Sequence, residues 1–415
     1  MAHQQNQQQS RSHLSLNTLV AGFLILLSFL ISPFLLLSGF SSGLTTHRII
    51  HPAKPKSQSE IAHASPEISR DIQQWRTLLA ALPRIEYRSE LLVPNYAEDR
   101  ALREALLTPL AEWQPDPDDP QHHFYRASNK LLISFRSPGD TTTDKLHALS
   151  PDTSNERALL TARVLLGLWW NRFNDERYSS NGYVVVRTDE LLHWRGVQKH
   201  QRKAFPGASK RYSDGFQWKH KQQLVQDITL LSQCYVQGSH LTITEGKAVH
   251  HTVNSPYLSL MPIKEAEKAI PQGYAIAPGS WLVDYLQQNN CYFASLDRQV
   301  FQLNPQSERI TLRLALYLTE QWRQQKRNKT TTPFVLADLL AASKVPIDRP
   351  NITTRFAPRV EAALQKLYTM GLLQEPPRCL TDIDKSKTRW GNEWLASQWL
   401  LFPEKHLSGN HLRGP

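Results

Sequence analysis

GYVVVRTDELLHWRGV (182–197), SDGFQWKHKQQLVQDITLLSQ (213–233) and YVQGSHLTITEGKAVHHTV (235–253) follow one another, with a basic loop between the first two. GYVVVRT (182–188) is β-branched and predicts a strand. TDELLHWRGV (188–197) predicts a short helix, with Thr188 as N-cap and Asp189 and Glu190 in its first turn. The 213–233 stretch predicts a long helix capped by Ser213 or Asp214, on which Leu224, Ile228 and Leu231 recur at i, i+4 and i+7 and face a core. Residues 235–253 alternate around Glu245-Gly246, the pattern of a hairpin. Just upstream, ERALLTARVLLGLWWNRF (156–173) lines Leu159, Val164, Leu165, Leu168 and Trp169 along one stripe, so a buried helix precedes the series.

Helix, strand, helix, basic loop, helix, hairpin is the order of a winged helix-turn-helix, in which the third helix reads DNA and the hairpin is the wing. The order recurs downstream. RITLRLALYLTEQWRQQKRN (309–328) matches the first helix, and TPFVLADLLAASKV (332–345) the strand and second helix. TTRFAPRVEAALQKLYTMGLL (353–373) matches the third helix, with Phe356, Val360, Leu364 and Leu367 as core stripe and Gly371 as its closing C′ glycine. LLQEPP (372–377) and QWLLFPE (398–404) supply two wing strands. The fold class expected is therefore mainly α with small β-sheets, an α+β chain holding two winged helix-turn-helix domains.

Around this pair the chain divides by composition. Residues 1–50 hold a tail and an apolar run at 19–37, LVAGFLILLSFLISPFLLL, with no Asp, Glu, Lys or Arg between Arg11 and Arg48. A run of about 20 apolar residues matches a hydrocarbon core about 30 Å thick. A transmembrane anchor is the favoured reading; a secretory signal peptide, a buried helix and a misassigned start codon are the alternatives. One basic residue (Arg11) before the run and three (Arg48, Lys54, Lys56) soon after place the body in the cytoplasm. Residues 51–66 read as a linker and 67–154 as an acidic accessory region, since 57–157 carry 11 basic and 16 acidic residues. Two short helices are expected near 68–82 and 98–113, and a strand in KLLISFRS (130–137). The winged-helix domains then span 155–265 and 303–405, joined by a connector (266–302) and followed by a tail (406–415).

The chain's 415 residues and 40% hydrophobic content suffice for two or three domains, and its +11 net charge points to an acidic partner. Phosphate-loop, HExxH, GxSxG and GxGxxG signatures are missing, and Cys234, Cys291 and Cys379 form no CxxC pair. No catalytic residue, metal site or cofactor is expected. His250-His251 cannot share a metal, because adjacent residues on a strand face opposite ways. Cys234 reads as a core thiol. Trp390, Trp394 and Trp399 read as staples of the carboxy-terminal segment.

Charge concentrates at 187–223, where nine Lys and Arg face three Asp and Glu with aromatic residues interleaved. Phosphate neutralisation needs such a cluster, since each placed cation releases condensed counterions. Arg195, Lys199, Arg202, Lys203, Lys210, Arg211, Lys219 and Lys221 are its candidate contacts. Gln222, Gln223 and Gln226 stand on the amino-terminal part of the third helix, where a bidentate Gln reads adenine. Arg355, Arg359 and Lys366 are the counterparts in the second copy, within a 303–405 segment of 16 basic and 10 acidic residues.

The tandem arrangement, with LLGLWWNRF, VVVRTDELLHWRGV and the long third helix in one copy and LALYLTEQW, FVLADLLAASKV and FAPRVEAALQKLYTMGLL in the other, resembles plasmid-type replication initiators. That resemblance implies duplex origin repeats as ligand, a homodimer as an inactive or autorepressing form, and recruitment of host replication helicase machinery. Three readings compete with it: a membrane-tethered transcriptional regulator on an operator, a protein-interaction adaptor, and an anchored enzyme acting on an anionic polymer.

Overall fold

A computed structural model describes residues 66–83, 88–109, 112–115, 123–128, 131–135, 154–203, 211–244, 247–264, 269–287, 293–328 and 333–404. In chain order these form α1 (Pro66–Ala81), β1 (Glu90–Pro94), α2 (Ala97–Leu107), β2 (Gln114–Pro115), β3 (His123–Ser128), β4 (Leu131–Phe135) and α3 (Ser154–Arg172). There follow β5 (Ser179–Ser180), β6 (Tyr183–Arg187), α4 (Thr188–Trp194), β7 (His200–Lys203), β8 (Arg211–Gly215), α5 (Trp218–Ser232), β9 (Cys234–Thr244) and β10 (Lys247–Pro256). Next come β11 (Leu258–Ile263), β12 (Gly273–Pro278), α6 (Ser280–Gln287), β13 (Phe293–Asp297), α7 (Arg298–Gln302) and α8 (Arg309–Asn328). The last elements are β14 (Phe334–Val335), α9 (Leu336–Ala342), α10 (Ala357–Thr369), β15 (Arg378–Cys379), α11 (Trp390–Leu395) and β16 (Gln398–Leu400). The mixture of helices with small sheets is α+β. Among the described residues no helix is long and apolar enough to cross a membrane. The apolar run at 19–37 lies outside them.

Contacts divide the chain into a small unit, residues 1–83 with 172–185 and Pro415, and a large one, 84–171 with 186–414. In the small unit the ring of Trp75 on α1 lies 5.0 Å from that of Tyr183, and Asn181 donates to Asp71 at 2.9 Å. The large unit carries everything discussed below.

Its core follows the apolar stripes. Leu159, Val164, Leu165, Leu168 and Trp169 on α3 are buried, as are Leu224, Ile228 and Leu231 on α5 and Phe356, Val360, Leu364 and Leu367 in and before α10. Trp394 and Trp399 are buried too, their indole N–H groups donating to Glu361 (3.0 Å) and to the Ser397 hydroxyl (2.9 Å). Cys234 is fully buried and its thiol is pushed up by desolvation.

Helices α4 and α9 share a construction detail that periodicity does not reveal. α4 and α9 are both seven residues long, each preceded by a strand. Each closes in a left-handed residue, Gly196 (φ 67°) or Lys344 (φ 59°). At α4, Gly196 N–H bonds His193 C=O (3.0 Å) and Val197 N–H bonds Leu192 C=O (3.0 Å). At α9, Lys344 N–H bonds Ala341 C=O (3.0 Å) and Val345 N–H bonds Leu340 C=O (2.8 Å). This pair of bonds satisfies the last free carbonyls and turns the chain sharply. Gly371 (φ 72°) closes α10 the same way.

Three local expectations need correction. α5 begins at Trp218 after Gln217, with no side-chain cap; Ser213 and Asp214 instead belong to β8. The basic loop is in part a hairpin, β7 against β8, which draws those residues into a ladder. Thr188 is not a cap, because its hydroxyl donates to Pro271 C=O at 2.7 Å while Arg187 holds the N-cap position.

β9 and β10 pair from Tyr235–Pro256 to Thr244–Lys247, the hairpin expected around residues 245–246. The ladder continues beyond that hairpin: β4 pairs with β9, β3 with β4 and β2 with β3, giving five strands in the order β10-β9-β4-β3-β2. β1 likewise pairs with β13. Strands β1 to β4 of the region expected as an accessory are thus built into the sheets of the large unit. In the segment expected to be the second winged helix the strand set is β14-β16-β15, with an isolated bridge from Leu373 to Pro403. Its return strand starts at Arg378, later than the expected 372–377.

A buried ionic cluster ties these parts together. Arg163 on α3 pairs with Asp99 on α2 and, at 2.7 Å, with Glu320 on α8. Arg103 on α2 reaches Glu320 at 3.0 Å, and the Tyr257 hydroxyl donates to Asp99 at 2.6 Å. Two carboxylates thus face two guanidiniums, which is how a buried charge escapes its desolvation cost.

Candidate nucleic-acid interface

α5 has its register set from inside. Asp227, buried opposite the helix's outer face, accepts from Arg157 of α3 at 3.1 Å and lies 3.4 Å from Arg195, the C-cap residue of α4. Burial raises the Asp227 carboxyl against the pull of Arg195 and Arg157, and burial lowers the Arg195 guanidinium. Arg195 also donates to the Arg157 carbonyl at 2.7 Å. With a side chain only 7% exposed, Arg195 is an internal brace and not a DNA contact. Its donors are turned into the fold.

The outer face of α5 is polar. Lys219, Gln222 and Gln226 are exposed along one stripe, and Gln223 is half-buried beside it. Lys221 turns the other way and pairs with Asp189 of α4 at 3.0 Å. At the helix start Trp218 is 53% exposed, unusual for a large aromatic. Lys199 is exposed, its ammonium 5.7 Å from the ring of buried Phe216. Arg202, Lys203 and Arg211 lie on the β7–β8 ladder, where Lys203 pairs with Arg211 and Arg202 with Tyr212. Their side chains and the whole of Lys210 fall outside the described residues.

In the second copy Arg355 and Arg359 are exposed. Arg355 belongs to a π-helical turn, Ile352–Phe356, that leads into α10, and Pro358 occupies the first turn, where its missing N–H costs nothing. Ala362, Gln365 and Thr369 continue the exposed stripe. Lys366 does not join it freely, because its ammonium is paired with Glu308 just ahead of α8. That hydrogen bond, with one from the Asn304 N–H, lowers the Glu308 carboxyl although burial works against it. Glu361, which holds the Trp394 indole, also pairs with Lys385 at 3.1 Å and so fastens the 380–389 loop to α10.

The sequence pattern therefore placed Lys219, Gln222, Gln226, Arg355 and Arg359 on open helical faces and misplaced Arg195. It passed over Trp218, grouped with the aromatics without a position, and Gln365 and Lys385. Gln365 was findable from its i+10 spacing to Arg355 along the stripe. Among the described residues no group of three or more His, Cys, Asp or Glu could hold a metal ion.

These two polar helix faces, on α5 and α10, are each backed by an apolar stripe and preceded by a seven-residue helix, in a chain of mixed α+β class. No family model matches the chain, and neither does any curated protein. Two crystal structures of domains 2 and 3 of RctB are similar to it in part. One, of a selenomethionine derivative, is 11% identical with a TM-score of 0.33 over 64% of this chain and 86% of that one. The other is 12% identical with a TM-score of 0.36 over 75% of this chain and 97% of that one.

Proposed function

We propose that the protein binds double-stranded DNA through two winged helix-turn-helix units, α5 and α10 serving as recognition helices, and that it acts as a replication initiator on repeated origin sites. The observation that carries this is the outer face of α5. Lys219, Gln222 and Gln226 stand exposed on a helix whose inner face is fixed by Leu224, Ile228, Leu231 and the Asp227 clamp. A rigid helix presenting amide groups beside a cation suits base edges flanked by phosphates. Arg359 and Gln365 on α10, with Arg355 in the turn just before it, repeat the composition. The initiator role, as opposed to any other use of duplex binding, rests on the resemblance of the tandem sequence pattern to plasmid-type initiators, and the homodimer and host helicase machinery belong to it as partners.

A second reading, a membrane-tethered regulator with a cytoplasmic body, is favoured by one observation, the run at 19–37 without charged residues. Both readings share the same interface. Selection of binding sites from random duplexes tests it: Gln222→Ala should relax base preference at one or two positions by about 1–3 kcal/mol, while Lys219→Ala weakens all sequences alike. Equal effects of both on every sequence would remove the base-reading role. Loss of an element's copying on deletion of the protein, with transcription from neighbouring promoters unchanged, would favour the initiator over the regulator.

A further inference from the structure

A cavity of about 310 Å3 opens in the large unit where α2 ends, α3 and α8 begin, and the turn after α9 passes. That is the small end of the range for small-molecule sites, about 300–1,000 Å3. Leu106, Trp113 and Val345 give it an apolar wall. Its cations are Arg309, Arg313 and Lys344, and its buried carboxylate, Glu156, is already shared by Arg309 (3.2 Å) and Arg313 (2.6 Å). Glu112 is an exposed second carboxylate at the rim. The first turns of two long helices line the same space, through Asn155 and Glu156 of α3 and Arg309 of α8, and each adds the positive end of its dipole. The independent sign of a ligand is Thr108. It lines the cavity, is 3% exposed, and its hydroxyl has no hydrogen-bond partner among the described residues. The side-chain oxygen of Asn155 is a second buried acceptor without one. Buried polar groups are nearly always bonded, so two orphans lining one cavity ask for a molecule that satisfies them.

We propose that this cavity binds a small organic anion, no larger than a mononucleotide, with a hydroxyl or amino donor beside its phosphate or carboxylate. Arg309, whose side chain is 31% exposed, meets the anion. Asn155 accepts from the donor, Thr108 bonds either group, and Trp113 covers the body. Lys344 is both a cavity residue and the left-handed cap of α9, so occupancy is read at the helix that leads into α10. This site is separate from the proposed DNA surface and does not depend on it.

Calorimetric titration of the full chain with AMP and with 4-hydroxyphenylacetate, using adenosine and 4-hydroxyphenylacetamide as the respective uncharged controls, tests the assignment. At least one anion should bind with Kd below about 1 mM, and its uncharged analogue about tenfold more weakly. Arg309→Gln should weaken binding about tenfold and Thr108→Val about threefold. Thr108→Val is nearly isosteric, so it carries the test should Arg309→Gln fail to fold. Absence of binding by both anions, or binding that survives both substitutions, would overturn the proposal.

Discussion

Asp227 shows how single charges in this chain divide between fold and surface. It sits on the helix proposed to read DNA, yet its side chain is 2% exposed and held by two arginines. Removing one partner of such a group strands the others in a low-dielectric site. Asp227→Ala should therefore cost about 3–5 kcal/mol in urea unfolding, whereas Gln226→Ala, one residue away and exposed, should cost under about 0.5 kcal/mol. A loss below about 1 kcal/mol for Asp227→Ala would contradict the clamp. The same reasoning explains which contacts were legible in the sequence. Lys219 and Gln222 could be placed outward because Leu224 and Ile228 fix the inner face of their own helix. Arg195 could not be seen as internal, nor Lys366 as paired, because their partners Asp227 and Glu308 lie 32 and 58 residues away and no local periodicity points to them.

At the level of elements, the caps of the short helices are the repeated device. Gly196 has φ +67° and a Cβ there would stand 2.9 Å from the Gln302 backbone, while Gly371 has φ +72° and open space around it. Gly371→Ala should cost about 1–2 kcal/mol for the left-handed conformation alone. Gly196→Ala should cost more, about 2–4 kcal/mol, because α7 must also give way. Thermal unfolding of the two variants side by side checks the order, and a smaller loss for Gly196→Ala would contradict the packing at α4. Helices α3, α5 and α10 were readable from their apolar stripes, α8 from its likeness to α3, and the strand before α4 from its β-branched run. The β7–β8 ladder was not. HQRK and RYSDG carry no alternation of apolar and polar residues, so only their partner across the hairpin makes them strands.

For the whole molecule, the sheets and the ionic cluster join segments that composition separates. β4 supports β9, β1 supports β13, and Glu320 of α8 holds Arg163 of α3 and Arg103 of α2. Glu320→Ala should destabilise the chain by about 3–5 kcal/mol, since it leaves two buried guanidiniums short of a counter-charge. A fragment of residues 155–405 should fail to give a cooperative unfolding transition, because it lacks the strands that cover β9 and β13. A sharp transition for that fragment would show that residues 88–135 are dispensable. Long-range pairing of this kind has no local sequence mark: LLISF predicts a strand without naming its neighbour.

The central claim is duplex binding through α5 and α10, and the salt dependence of affinity tests it most directly. The full chain in mild detergent should bind duplex DNA with a log–log salt slope that becomes shallower by about one unit in Lys219→Gln and by about two in Lys219→Gln/Arg359→Gln. Binding whose slope is the same in all three proteins, or no binding at low salt, would contradict the account.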